Sequence, residues 1–292
     1  MDTDLERLQI LFRRSRSLPQ LPESAVQVTR MIDSGDATIL ELERVLAGDP
    51  GLSANVLRAS NAVTLGAVEP VTTVRAAVMR IGVRSLRSIT ISFAMHELIH
   101  DSGSRFNGNR FAEHSLYVAM LARYVYVRRN LRSAFASRWS ADEIFAAGIL
   151  HDIGVPLLAK VSPESYQRVV HFAHRTSCSF GEAFKHLYGQ SINVLAASAM
   201  EAWQLPSLFV DSVRHMETPW LNDEYTALCC LAYADALVSA HGATHEEWPT
   251  RPTMSAEYEI EAGLPEEEAL AVLDAVGRQV AAYLSIKVSH AA

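Results

Sequence analysis

The chain of 292 residues lacks most features that mark secreted or membrane proteins. It has three cysteines, and the adjacent pair Cys229 and Cys230 makes neither a disulfide framework nor a zinc-binding spacing. No run of about 18 apolar residues is uninterrupted, as a membrane span would require. The early acidic residues Asp2, Asp4 and Glu6 do not follow the basic-then-apolar order of a signal peptide. We therefore predict a cytoplasmic protein without a membrane span.

Positive charge is also scarce, since the formal net charge is -7. This balance argues against general nucleic-acid binding, because phosphate contacts need clustered lysine and arginine. Arginines nevertheless cluster locally, as at Arg75, Arg80, Arg84 and Arg87. In an acidic chain we interpret this group as solvated helix faces or as part of a surface for a protein partner.

Helix signals recur along the chain, whereas strict alternation of apolar and polar residues is rare. An apolar fraction of 49% and a charged fraction of 20% are typical of a globular protein. Capping-box spacing occurs at residues 38–41, 140–143 and 179–182. Asp49 and Ser162 each precede a proline suited to the first helical position, and Gly82 is placed to end a helix. These signals predict an all-α fold.

A polar, glycine-rich stretch at residues 101–109 predicts a boundary within the chain. It separates an N-terminal helical subdomain, residues 1–105, from a C-terminal helical subdomain, residues 106–292. A second loop, which contains Pro249 and Pro252, precedes a closing helix near residues 266–284.

The most informative stretch is FAAGILHDIG at residues 145–154. It places His151 and Asp152 in the last turn of an apolar helix that begins after Ser140. A neutral imidazole beside a carboxylate suits Zn, Mn or Fe better than Ca. For this pair alone, we favour the simpler interpretation of a hydrogen-bonded helix end.

Two further residues extend the pair into a set. His114 shares a helix face with apolar residues, and Asp235 lies inside an otherwise apolar helix, where a carboxylate is costly unless it is paired or metal-bound. This order of His, His-Asp and Asp resembles the HD superfamily of metal-dependent phosphohydrolases. In that resemblance His114, His151, Asp152 and Asp235 match the metal-ligand motif, which implies one divalent transition metal ion as the cofactor.

The remaining motifs resemble the HDOD family, an HD-related family read as a regulatory output module. They lie at residues 18–22 (LPQLP), 49–61, 74–86, 147–154, 203–206 (WQLP) and 213–215 (VRH), so the resemblance spans about residues 18–240. It implies an N-terminal bundle of about five helices and a C-terminal HD-like bundle. It also implies bacterial signal transduction through a signalling protein partner or a nucleotide-type ligand.

Three positions depart from the pattern of catalytic relatives. Val155 stands where these enzymes commonly carry a phosphate-holding lysine, and Ile192 where they carry an additional histidine ligand. Met216 replaces the second of two paired histidines, and His215, the first, is expected to neighbour the site. A two-metal site needs more ligands than remain.

Two hypotheses follow from these departures. In the favoured one, the protein is a regulatory module without catalysis, and the His-Asp cluster is a buried polar network that fixes the helix packing. In the alternative, the protein is a one-metal phosphohydrolase or cyclic nucleotide phosphodiesterase.

Overall fold

The computed structural model describes residues 2–13, 18, 21–62, 70–100, 106–132, 137–241 and 255–288, and every regular element among them is a helix. The α-helices are α1 (Asp2–Arg13), α2 (Glu23–Ser34), α3 (Ile39–Ala47), α4 (Pro50–Ala62), α5 (Val74–His100), α6 (Gly108–Arg132), α7 (Ala141–Leu150), α8 (Gly154–Val161), α9 (Pro163–Thr176), α10 (Phe180–Tyr188), α11 (Ile192–Ala202), α12 (Ser207–Arg214), α13 (Tyr225–Ala240), α14 (Ala256–Ala262) and α15 (Glu266–Val288). A short 3-10 helix spans Pro219–Leu221.

The helices group into two compact units. The first contains residues 1–19 and 99–276, and the second contains residues 20–98 and 277–292. The predicted fold class, an all-α protein with an N-terminal helical bundle and a C-terminal HD-like bundle, is confirmed. The division into subdomains 1–105 and 106–292 stays a prediction, since packing alone does not test which segments fold on their own.

The first unit is built around α6, α7 and α13, which pack against one another. Their contact faces form an apolar core that includes Leu121, Ile144 and Leu231, all fully buried. The N-terminal helix α1 packs on α11 and buries Leu8 and Phe12. Burial of these apolar faces is the main source of stability for such a bundle.

The second unit contains α2 to α5. Gly82 adopts a left-handed φ of 78° inside α5 and separates two helical segments, as its predicted role as a helix stop requires. Of the four predicted surface arginines, Arg75 pairs with Glu43 and Arg87 pairs with Asp33. These ion pairs leave less free positive charge than the sequence suggests.

The predicted helix caps are confirmed with one exception. Thr38, Ser140 and Ser179 each form a full capping box, and Asp49 Oδ1 accepts from the Leu52 N–H at 2.9 Å. Ser162 is the exception, although Pro163 after it begins α9 as expected. The Ser162 hydroxyl donates to Ser165 Oγ at 2.8 Å, so it caps no backbone N–H.

The stretch Ala141–Val161 bends between α7 and α8. Gly154 begins α8, and Pro156 lies in its first turn, where a proline costs no hydrogen bond. By length and composition the whole stretch could cross a membrane, but 83% of its most apolar window is buried in the structure. A buried core helix passes the same test, so this is weak evidence for a membrane span.

Candidate metal centre

Four predicted site residues come from three packed helices of the first unit. His114 lies in α6, His151 caps the C-terminus of α7, Asp152 follows it in the turn, and Asp235 lies in α13. The imidazoles are buried, with 2% and 0% of their surface exposed. The side chains of Asp152 and Asp235 have 23% and 16% of their surface exposed. The cluster therefore reaches solvent through its carboxylates.

A glycine allows the helices that carry the two histidines to meet. A Cβ atom added at Gly148 of α7 would lie 2.5 Å from the Ala119 Cα of α6, which is closer than real atoms approach. Only a residue without a side chain fits this contact between α6 and α7. Gly148 lies one turn before His151, so the close approach also brings His151 toward His114.

The donor atoms of the cluster lie close together. His114 Nε2 is 3.3 Å from His151 Nε2 and 3.2 Å from Asp235 Oδ1, and His151 Nε2 is 3.5 Å from the same oxygen. These three residues offer ligand atoms that all lie within 4.8 Å of one another. Asp152 joins the group through its Oδ2, 3.3 Å from His151 Nε2.

The tautomer of His151 is fixed by the backbone. Its Nδ1 lies 2.8 Å from the Gly148 carbonyl oxygen, which can only accept, so Nδ1 carries the proton and donates it. In the neutral ring the other nitrogen, Nε2, then holds a free lone pair directed at the cluster. A hydrogen bond of this kind orients metal-binding histidines in general.

Charge within the cluster shifts three pKa values. Burial alone would lower the pKa of His151, but the carboxylates of Asp152 and Asp235 outweigh it and raise that pKa well above its usual range. Burial likewise opposes ionisation of both carboxylates, yet the histidines hold the pKa of Asp152 and of Asp235 below the usual range. These shifts favour a protonated His151 beside ionised Asp152 and Asp235.

The donor set fits one transition metal ion. Ligand atoms about 2.0–2.1 Å from a tetrahedral ion lie about 3.3–3.4 Å from each other. The separations of 3.2, 3.3 and 3.5 Å among His114, His151 and Asp235 match that spacing. Two imidazole nitrogens and a carboxylate oxygen are ligands suited to Zn, Mn or Fe.

The three departures from the catalytic pattern are apolar residues of the core. Val155, Ile192 and Met216 are 3%, 4% and 7% exposed. Ile192 lies against Gly154, where an added Cβ would be 2.9 Å from Ile192 Cγ1. His215 is half-buried at the end of α12, and its Nδ1 makes no hydrogen bond to a described residue. Among the described residues, no hydrogen bond or ion pair joins His215 to the cluster.

Sequence reasoning missed two supporting residues. Gly148 was read only as part of the His-Asp motif, although its missing side chain and its carbonyl both shape the site. Ser239 Oγ donates to Asp235 Oδ1 at 3.3 Å. Its spacing of four residues from Asp235 on one helix was the available signal.

The helical fold and the grouped His, His-Asp and Asp residues define an HD-related class of helical proteins. The model of the HDOD domain family matches residues 18–219, and the chain belongs to that family. The match covers α2 to α5 and the segments that carry His114, His151 and Asp152, and it ends before α13, which carries Asp235.

Several solved structures share this fold. An HDOD domain protein of unknown function from Geobacter sulfurreducens has a TM-score of 0.72 at 22% identity, over 96% of this chain and 98% of its own. A Shewanella amazonensis protein that carries the name of a phosphohydrolase has a TM-score of 0.69 at 22% identity. The similarity covers 94% of this chain and 97% of that protein's chain. A Marinobacter aquaeolei protein named for signal transduction has a TM-score of 0.68 at 19% identity. The similarity covers 98% of this chain and 64% of that protein's chain. At these identities the similarity is one of fold.

One curated relative, an uncharacterised protein of Treponema pallidum, is 19% identical over 216 residues. These residues are 74% of this chain and 40% of the relative, so the chain matches less than half of that protein's length.

Proposed function

We propose that the protein is a regulatory module of signal transduction that acts by binding a partner and does not catalyse phosphate ester hydrolysis. The observation that carries this proposal is the replacement of catalytic positions by core residues. Val155, Ile192 and Met216 are buried and apolar, so they supply neither a phosphate-binding cation nor ligands for a second metal ion. The signal-transduction name of the Marinobacter aquaeolei protein is in keeping with this role.

A second candidate, a one-metal phosphohydrolase, is favoured by the spacing of the donor atoms. His114, His151 and Asp235 would hold the ion, with Asp152 beside them. A bound divalent ion supplies a water of lowered pKa as the nucleophile. The chain's own residues would bind the ion, while the Gly148 carbonyl keeps His151 in the tautomer that ligation needs and the carboxylate side stays accessible to solvent.

Hydrolysis of bis(p-nitrophenyl) phosphate, with added Mn²⁺ or Zn²⁺, separates the two candidates. We expect the wild type to release no more nitrophenol than the His151→Ala variant. The matched control is His174→Ala, which removes an exposed histidine outside the cluster. Turnover by the wild type and by His174→Ala, but not by His151→Ala, would establish the hydrolase and overturn the regulatory proposal.

Metal content tests the cluster itself. We expect the protein to hold close to one equivalent of a transition metal by plasma mass spectrometry, and His151→Ala to hold at least tenfold less. His174→Ala should retain the wild-type content. Equal metal content in all three proteins would show that His151 is not a ligand.

A further inference from the structure

A surface cavity lies at the end of α7 opposite to the His-Asp cluster. Its volume is about 390 Å³, and it is lined by Arg138, Trp139, Ser207, Leu208, Asp211, Leu221, Asn222, Asp223 and Glu224. Helix α7 has 10 residues, so its two ends, one beside the cavity and one at His151, lie about 15 Å apart at 1.5 Å per residue. The cavity is therefore distinct from the cluster.

The carboxylates of this cavity outnumber its positive charge. Glu224 is buried and engaged, because it accepts from Ser137 Oγ at 2.7 Å and from Arg138 Nε at 3.0 Å. Asp211 and Asp223 make no side-chain hydrogen bond or ion pair with any described residue. Arg138 pairs with Glu224 and also feels the charges of Asp211 and Asp223, so three carboxylates face one guanidinium and the cavity keeps an excess of negative charge.

Exposed apolar side chains adjoin the same cavity. Leu221 lines it with 65% of its surface exposed, and Trp220 beside it on the 3-10 helix is 58% exposed. Among the described tryptophans, Trp139 is buried and Trp203 half-buried. Exposed tryptophan is costly in water and is a common anchor of protein interfaces.

We propose that this surface binds a segment of a partner protein in which an arginine or lysine is flanked by apolar residues. The cation enters the cavity against Asp211 and Asp223, and an apolar neighbour packs on Trp220 and Leu221. The negative charge of the cavity favours a basic residue in the bound segment. Arginine suits the two carboxylates best, because its planar guanidinium can donate hydrogen bonds to both. Trp220 is not part of the cavity lining, so a small cation bound in the cavity would leave it uncovered, which favours a peptide. The inference rests on the proposed function because it takes partner binding as the protein's role.

Selection of random 12-residue peptides on the full-length protein provides the probe. The dissociation constant of the most enriched peptide is then measured by fluorescence anisotropy. We expect enriched peptides to carry arginine or lysine beside apolar residues. We expect Asp211→Asn with Asp223→Asn to weaken binding at least tenfold, and Trp220→Ala to do the same. A peptide with its basic residue changed to glutamine should also lose at least tenfold.

Matched control variants come from exposed residues of the second unit. Asp36→Asn removes an exposed carboxylate and Met79→Ala an exposed apolar side chain, and both should bind within twofold of the wild type. Circular dichroism and thermal unfolding establish that each variant folds, as expected because none of the changed residues is buried.

Three outcomes would overturn the inference. They are enrichment of no sequence, enrichment of peptides without a basic residue, and binding that the variants do not weaken. Arginine amide provides a further test, since binding as tight as that of the peptide would assign the cavity to a small cation. The hydrolysis and metal-content assays depend on His151 and not on the residues of the cavity. A failure of the proposed function is therefore distinguished from a failure of this inference.

Discussion

At the scale of single residues, Gly148 has two effects on the cluster. Its missing side chain permits the contact between α6 and α7, and its carbonyl oxygen holds the proton of His151 Nδ1. The first effect concerns packing and the second concerns the direction of a lone pair. Both depend on one position of the backbone, so a substitution there alters the distance and the chemistry together.

We predict that Gly148→Ala lowers the free energy of unfolding by about 1–3 kcal/mol or more, because overpacking forces the helices apart. Urea denaturation measures the change. Gly181→Ala is the matched control, since a Cβ there meets only Glu217 Oε1 at 3.6 Å. It should be neutral or slightly stabilising, because alanine favours helix. Equal losses of unfolding free energy in both variants would show that the close contact at Gly148 does not limit the size of the residue there.

Protein freed of metal by EDTA should show a stability that depends on pH through the cluster. The folded pKa of His151 is raised, so its contribution is complete below about pH 6.5 and is lost as the pH rises through that folded value. The folded pKa values of Asp152 and Asp235 are lowered, so their contribution is complete above about pH 4 and is lost as the pH falls.

Urea unfolding between pH 4 and 9 measures this dependence. We expect the stability of the wild type to be greatest in the acidic range between these limits, and to decline on the alkaline side. His151→Ala should lack the alkaline decline, whereas His174→Ala should keep it. A decline of the same size in His151→Ala would assign it to other groups.

At the scale of helices, capping decides where the elements of the first unit begin. The Ser140 hydroxyl accepts from the Glu143 N–H at 3.2 Å, and the Glu143 carboxylate accepts from the Ser140 N–H at 2.7 Å. These bonds fix the start of α7, the helix that ends at His151. A cap at one end thus helps to set the position of the cluster at the other.

We predict that Ser140→Ala costs about 0.5–2 kcal/mol of stability, as the loss of a helix cap does in general. Ser162→Ala is the matched control, because Ser162 also precedes a helix but caps no N–H group. It should change the free energy of unfolding by no more than about 0.5 kcal/mol. Thermal or urea unfolding of the two variants gives the comparison, and similar losses would contradict the assigned role of Ser140.

At the scale of the whole molecule, α1 belongs to the first unit although the family match begins only at residue 18. Its apolar face is buried on α11, and Asp4 pairs with Arg168 at 2.9 Å on the outside. The exposed ion pair adds little stability, whereas the apolar contact adds several kcal/mol. The N-terminal helix is therefore an integral part of that unit.

We predict that Phe12→Ala lowers the free energy of unfolding by about 3–5 kcal/mol, as truncation of a buried phenylalanine does. Ile10→Ala, on the same helix but 48% exposed, should cost no more than about 1 kcal/mol. Chemical denaturation measures both. A Phe12→Ala protein as stable as Ile10→Ala would show that α1 is dispensable to the fold.

The sequence predicted the fold class and the helix caps because these depend on local patterns. It also predicted His114, His151, Asp152 and Asp235 as a set, although their grouping in space requires α6, α7 and α13 to pack together. It did not predict the role of Gly148, since the contact with Ala119 joins residues far apart in the chain. For the same reason it missed the cavity near Asp211, whose lining comes from several segments. The metal-ligand roles stay predictions.

The spacing of the donor atoms has one consequence for the protein as a receptor. Because His114, His151 and Asp235 already stand at ligand separations, the entropic cost of assembling them is met when the chain folds. The arrival of an ion would displace a proton from His151 and change the local charge, while little movement of the helices is required. We therefore expect metal binding to change the charge of this site more than the positions of its helices.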